Sequence, residues 1–332
     1  MADKGFIMKK YFTSSLIVSI FLLVFTGSLY SFPKVGTTSF QFLEVLTSAR
    51  GSALGNAYCS IVDNSEAEFF NPAGLTGISN FDMSAGYVNW FLDAAQYSLA
   101  AGYNWDGYGV LGFQAMFTDV GVIEETSVDA LGFHSDGTYN GLTGRTFRPN
   151  SIVLGVSFAR DLTDKLSFGI TAKFVHENLI YKSASALAFD GGVLFKTGFR
   201  NIVLDATIRH FGTTVKYIDQ AFPLPQTFTI GASTFLLSDK DPLIAQSDQH
   251  SVRIAYEMVQ PRDYDQQHCV GMEYGFENML FLRGGYQFNT DEQSWSAGLG
   301  IQFDGLRIDY SYNDFGLYLD AVHRITIGYA IK

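Results

Sequence analysis

Six histidines, two cysteines and a scatter of carboxylates are the residues of this 332-residue chain whose types could do chemistry. His134, His176, His210, His250, His268 and His323 stand apart, without the i, i+4 or carboxylate spacing that holds a metal ion or orients a general base. Cys59 and Cys269 lie far apart and outside any CxxC pattern, which leaves two free thiols or one long-range bridge. Ser31-Phe32-Pro33-Lys34 spells SxxK by letters alone, with no helix to bring the pair together. No P-loop, GxSxG elbow or dinucleotide fingerprint occurs. The acidic groups Glu124, Glu125, Asp129 and Asp136, and Asp263 with Asp265, lack EF-hand spacing and read as solvated loop surface. The chain is therefore expected to be no enzyme and to need neither cofactor nor metal.

A second set of charges is more orderly. Asp190, Asp205, Arg209, Arg253, Glu257, Glu273, Arg283, Arg307 and Asp309 sit on the same alternate positions as many Gly, Ala, Ser and Thr residues, as do Asp82, Lys173 and Lys196. Charges on one face of a sheet that closes on itself would line a lumen. There they can select ions across water or pair across neighbouring strands, for example Arg283 or Arg307 with Asp309 or Glu273. The sequence leaves both uses open.

The elements that must position these charges show a period of two from about residue 79 onward, which sends successive side chains to opposite faces of a sheet. Ile325, Ile327, Tyr329 and Ile331 alternate with Arg324, Thr326, Gly328 and Ala330. Leu166, Phe168, Ile170, Ala172 and Phe174 alternate with Ser167, Gly169, Thr171 and Lys173. About fourteen such segments occur, near 79–88, 95–104, 107–117, 150–160, 165–175, 187–196, 201–210, 226–236, 251–259, 268–276, 279–288, 295–303, 305–312 and 323–331. Crossing an outer membrane at a tilt takes roughly 9 to 11 residues.

Charged residues make up only 17% of the chain, against roughly 25% in soluble domains, while 47% are hydrophobic and 15% aromatic. A water-covered sandwich would carry denser charge on its outer face, so the bulky face is assigned to lipid. Connection lengths agree with a bacterial barrel, in which short inner turns alternate with longer outer loops. Inner turns fall near residues 105–106, 161–164, 197–200, 277–278 and 304, and outer loops at 119–149, 176–186, 212–225, 260–267 and 313–321. The stretch 237–250 breaks the rule, which means a miscounted strand or a turn with an element of its own. The expected fold is all-β and membrane-spanning: an antiparallel transmembrane barrel of about fourteen strands over residues 79–332.

Residues 1–31 read as a secretory signal, with Lys9 and Lys10 before an apolar run from Leu16 to Phe25 and small residues at the exit. Cleavage fits after Ser28 or Ser31, and the start fits Met1 or Met8. The run is too short for a comfortable membrane helix. Removing residues 1–31, which carry Lys4, Lys9, Lys10 and Asp3, takes the formal net charge from -11 to -13, so nucleic acid is excluded as a partner.

Residues 32–78 do not alternate. The stretch 39–50 reads as a short helix with Phe40, Leu43 and Leu46 or Thr47 on one side, and the segment as a hatch that fills the lumen or packs outside its mouth. Phe40, Phe42, Leu43, Leu46, Phe69 and Phe70 supply either an apolar ligand pocket or simply the packing of the hatch. Asn71-Pro72 favours a turn, and Gly74 is expected to let the chain bend into the first strand.

Ala49-Arg50, Gly55-Asn56-Ala57-Tyr58, Asp63-Asn64 and Phe70-Asn71-Pro72-Ala73-Gly74-Leu75 resemble the N-terminal region of the FadL-type long-chain fatty-acid transporters, and more closely that of the related PorV/PorQ-type outer-membrane proteins. Leu224-Pro225-Gln226-Thr227 is similar to a stretch of the second group. The resemblance covers residues 36 to 75 well. It implies a fourteen-stranded barrel in the bacterial outer membrane, blocked by a hatch whose signature is Asn71, Pro72, Ala73 and Gly74. On the first side it implies passive uptake of a hydrophobic small molecule such as a long-chain fatty acid. On the second it implies carriage of exported proteins. A solute or ion pore is the remaining alternative. The lipid bilayer is the common partner.

Overall fold

A computed structural model describes residues 35–128, 141–291, 293–316 and 319–331. The signal segment with both start positions and both cleavage positions, Ser31 to Lys34, His134, Asp129 and Asp136 lie outside the described residues. Fourteen strands form the wall: β1 (Phe81–Asn89), β2 (Ala95–Trp105), β3 (Gly109–Asp119), β4 (Asn150–Thr163), β5 (Leu166–Asn178), β6 (Ser183–Lys196), β7 (Val203–Gly212), β8 (Thr227–Ser238), β9 (His250–Pro261), β10 (Gln267–Phe276), β11 (Leu280–Phe288), β12 (Trp295–Phe303), β13 (Leu306–Asn313) and β14 (Val322–Ile331). Each pairs antiparallel with the next, and β14 returns to β1 with Ile331 opposite Phe81 and His323 opposite Asn89. Closure satisfies the backbone of every wall strand without a free edge, which a hydrocarbon environment demands. No described helix is long and apolar enough to cross a membrane.

The alternation sets the two surfaces. In β5, Ser167, Thr171, Lys173 and Val175 are buried while Ile170, Ala172 and Phe174 are exposed. In β14, Arg324, Thr326 and Gly328 point in, and Ile325, Ile327 and Tyr329 point out. The bulky residues do not meet between stacked layers; they form a lipid-facing belt. Aromatics gather at its two rims. Tyr87, Tyr97, Phe117, Tyr286, Phe288 and Trp295 lie at the long-loop end, with Tyr103, Trp105, Phe303 and Tyr329 at the other.

Two connections differ from expectation. The expected outer loop 176–186 is mostly strand, since β5 runs to Asn178 and β6 starts at Ser183. Ser183, Ala184, Ser185, Ala186 and Ala188 are all small, so size does not betray their period, although Ala184, Ala186 and Ala188 face inward and are buried. The anomalous inner stretch 237–250 keeps the strand count and carries its own element: Ala245–Gln246 pairs parallel with Leu237 and Ser238 of β8. Among the outer loops, Ile123–Thr126 pairs with Leu142–Phe147, and Val215–Lys216 with Ala221–Phe222.

Inside the wall lies the hatch. The single helix expected over 39–50 is broken into a 3-10 turn (Gln41–Glu44), an extended strap, and α1 (Ala49–Ala53), whose N-cap Ser48 accepts from the Gly51 amide. The barrel competes for the backbone there. Arg324 Nε donates to the Leu46 carbonyl at 2.9 Å, an acceptor that a continuous helix would use, and β-branched Val45 stays extended, while the Ser39 amide is anchored to the Pro223 carbonyl at 2.9 Å. Below follow α2 (Ala67–Phe70) and a 3-10 turn (Pro72–Gly77) leading into β1. Small inward residues let this backbone approach the wall. A Cβ on Gly169 would collide with Pro72, on Gly271 with Leu54, on Gly285 with Gly55, and on Gly298 with Ala53.

Candidate functional site

The four residues of the Asn-Pro-Ala-Gly element lie at the short-turn end of the lumen. Asn71 caps the 3-10 turn, accepting from the Ala73 amide at 3.1 Å, and its Nδ2 donates to Cys59 O at 3.3 Å and Val193 O at 3.2 Å. The side chain thus ties two parts of the hatch to strand β6. Pro72 starts the turn, where a missing amide hydrogen costs nothing, and packs against Gly169. Gly74 has a different task from the bend expected of it. It lies inside the turn, and a Cβ there would strike the Val62 carbonyl oxygen, so close packing within the hatch is what it serves.

The nine lumen charges all face inward, and most are bound to each other or to the hatch. Glu273 receives Arg283 Nε at 2.6 Å and Arg50 Nε and Nη2 at 2.9 and 2.8 Å, and Arg283 Nη1 reaches Asp309 at 2.6 Å. The Arg283 guanidinium crosses to Asp309 over Gly300, whose missing side chain makes the space. Arg307 departs from the expected partners and binds Asp82 at 2.6 and 2.8 Å. Asp190 pairs with Lys173 at 2.6 Å and accepts from the His210 amide, and Lys173 Nζ lies 2.9 Å from His210 Nδ1. Arg209 donates to Phe69 O at 3.1 Å, Glu257 accepts from the Cys59 and Ser60 amides, and Arg253 lies over the Phe235 ring at 4.1 Å. Of the two uses left open by the sequence, cross-strand pairing is the one built here.

Arg50 and Arg324 were not singled out as functional by the sequence. Arg50 belongs to the hatch, so no alternation marked it. Arg324 stood on the polar face of β14 and could have been included; it is buried and clamps Leu46 O and Asn313 Oδ1.

The six candidate pocket residues separate into two groups. Phe40 and Phe42 pack together, with Phe40 also edge-on to Tyr217 under the outer loops. Leu43, Leu46, Phe69 and Phe70 surround a cavity of only about 20 Å³ together with Val45, Met116 and Val153. That is room for about one water. Above it, at the long-loop end, an open cavity of about 520 Å³ is bounded by Leu43, Leu46 and Val259 and by the polar Glu44, Arg209 and Asp263, among others. Leu43, Glu44 and Leu46 border both spaces, so the strap forms the floor of the larger and the roof of the smaller.

Glu44 gives this floor a titratable charge. Its side chain is open to the solvent of the outer cavity, yet enclosure by the rim, then the nearby Asp263 carboxylate, raise its pKa from 4.5 to about 7 against the opposing pull of Arg209. Solvent screens part of that shift. A raised acid keeps its proton in the folded chain where the unfolded chain has released it. Its stabilising contribution is therefore present at the low end and lost as pH rises from 4.5 through about 7. The floor is neutral below that upper value and anionic above it. An alkyl sulfonate, whose own charge is fixed, is expected to bind more weakly at pH 8 than at pH 6, and Glu44→Gln is expected to flatten the difference. Equal affinity of the parent protein at both pH values, by fluorescence displacement, refutes the assignment.

Three solved structures have the same architecture. The toluene transporter TbuX of Ralstonia pickettii is 14% identical, with 85% of this chain and 97% of that one covered, at a TM-score of 0.56. The toluene transporter TodX of P. putida is 12% identical, with 84% and 98% covered, at 0.54. A FadL homologue of Pseudomonas aeruginosa is 12% identical, with 86% and 98% covered, at 0.51. No family model and no curated protein matches the sequence. At such identities the likeness is one of fold, and the chain has the FadL-type fold of an outer-membrane barrel. The PorV/PorQ side of the resemblance rests on residues 36 to 75 and on Leu224 to Thr227, and draws nothing from these structures.

Proposed function

We infer from a fold shared with FadL-type barrels that this chain is a passive, non-enzymatic uptake channel of the bacterial outer membrane for hydrophobic small molecules such as long-chain fatty acids. One observation carries the reading. The cavity of about 520 Å³ at the outer mouth has the size of a small-ligand site, and its floor is the strap Leu43 to Leu46, where Leu43 and Leu46 flank the Glu44 carboxyl over Phe69 and Phe70. A ligand bound at the mouth is one strap movement away from the small enclosed space where Phe69, Phe70, Met116 and Val153 meet Lys173, Arg209 and His210. Extended Val45 and the break between the 3-10 turn and α1 give that strap few internal hydrogen bonds to lose.

The barrel, extracted in mild detergent and kept folded, is expected to carry acyl ligand by native mass spectrometry, and cells expressing it to take up labelled fatty acid. Leu46→Asn, which puts an amide on the floor, is expected to reduce uptake severalfold while leaving the barrel folded. Absence of bound acyl chains together with absence of uptake overturns the reading. Recovery of exported proteins on the folded barrel would then favour the carrier role.

A further inference from the structure

Between the outer cavity and a second one at the short-turn end lies a cluster that the uptake reading does not use. The inner cavity, of about 650 Å³, is lined by Val203, Phe235, Ser251 and Arg253 among others, and the outer one reaches Arg209, Thr227 and Val259 on the same strands. The wall between them holds one rung of the sheet: Asp205 of β7 opposite Gly231 of β8, and Gly231 opposite Glu257 of β9. Because Gly231 has no side chain, the two carboxylate side chains lean over it from either side; a Cβ there would strike Asp205 Oδ1 and Glu257 Cγ. The hatch brings Cys59 against them. Its amide donates to Glu257, and one ligand atom from each of Cys59, Asp205 and Glu257 falls within 4.8 Å of the others.

Burial makes this arrangement costly as it stands. Asp205 is 4% exposed and Glu257 fully buried. Both Asp205 oxygens and Glu257 Oε2 find no hydrogen-bond partner among the described residues. The hydroxyls of Thr207 and Thr229, on the adjoining rung, and of Ser60, beside Cys59 in the hatch, are orphaned in the same way. Buried polar atoms are rarely left unpaired, and two carboxylates side by side in low dielectric must share a proton or hold a cation. Arg209, four residues along β7 from Asp205, spends one guanidinium nitrogen on Phe69 O.

We propose that Cys59, Asp205 and Glu257 form a binding site for one borderline-soft divalent cation of the zinc class, set in the barrel between the hatch and β7–β9. A thiolate with two carboxylates is a donor set that zinc accepts and that magnesium or calcium, which prefer all-oxygen shells, does not. Zinc–sulfur and zinc–oxygen bonds of about 2.3 and 2.1 Å fit ligands separated as these are after small side-chain adjustments, with a water in the fourth position. The Cys59 and Ser60 amides on Glu257 hold that carboxylate from behind, as supporting hydrogen bonds do around metal sites. The ion would tie the hatch to the wall, and its uptake would release the Cys59 thiol proton.

The test uses the folded full barrel in detergent, stripped with chelator and titrated with Co²⁺ as a spectroscopic substitute for Zn²⁺. One equivalent per chain with a thiolate-to-cobalt charge-transfer band, displaced by Zn²⁺ and not by Mg²⁺, is the expected result. Asp205→Asn, checked for folding by its unheated gel mobility, is expected to lose at least tenfold in affinity. A parent barrel that gives no charge-transfer band overturns the proposal whatever the variant does, and means that the carboxylates share a proton. A folded Asp205→Asn variant that binds as the parent does overturns it too.

Discussion

Arg283→Met is expected to destabilise the folded barrel by about 3 to 5 kcal/mol, the cost of removing one partner from a buried ion network. The guanidinium lies between Glu273 and Asp309 with contacts of 2.6 Å to each, and all three side chains are under a tenth exposed. Methionine replaces the aliphatic stem up to about the Nε position but offers no positive charge. Glu273 keeps Arg50 from the hatch, whereas Asp309 loses its guanidinium. Combining Arg283→Met with Asp309→Leu removes the stranded charge along with its partner and is expected to recover most of the loss, because an apolar replacement of a whole buried pair is often close to neutral. Urea unfolding followed by the fluorescence of Trp90, Trp105 and Trp295 measures both. A loss under about 1 kcal/mol for the single variant would mean that these charges are hydrated and independent, which is the condition for an ion-selective lumen and not for a plugged one.

Gly285→Val is expected to convert a silent barrel into a conducting one. Gly285 faces inward, and a Cβ on it would collide with the backbone of Leu54 and Gly55, where Gly55 already takes a left-handed φ of 62°. Nothing flexible stands in that contact, so the hatch must leave its seat. Valine is at home in a strand, so the wall itself is expected to close as before. The neighbouring Gly284 provides the matched control. It points the other way, with no atom nearer to a Cβ than Ser296 O at 3.9 Å, and Gly284→Val is expected to change nothing in planar-bilayer recordings. Steady conductance from Gly285→Val alone identifies the hatch as the seal. Silence from a folded Gly285→Val barrel would place the seal in the outer loops instead.

The first variant acts within the wall beside the seat of Arg50 and the second on the hatch–wall contact itself, and that contact is where the sequence was least informative. The barrel was legible because lipid imposes one rule on every strand: bulky apolar side chains out, small or polar ones in. Ile325 to Ile331 and Leu166 to Phe174 obey it without reference to any distant residue. Where neighbours are all small, as from Ser183 to Ala188, the rule has nothing to act on and the strand start went unread. The lumen charges were legible as a set for the same reason, since alternation alone assigns Asp190 through Asp309 to one face.

Which charge meets which was decided by the tertiary structure. Register places Glu273 opposite Arg283, but only barrel closure and the passage of the hatch bring Arg50 to the same carboxylate and Asp82 to Arg307. The broken helix at Ser39 to Arg50 has the same origin, because Arg324 claims the Leu46 carbonyl, which a continuous helix would have spent on the Arg50 amide. Asp205, Glu257 and Cys59 make the point most sharply. Two strands and the hatch deliver them over Gly231, and no spacing along the chain records that they meet. The sequence by itself determined the side of the wall each residue faces, a matter of local period and solvent; the fold alone determined its partner, a matter of closure over long separations.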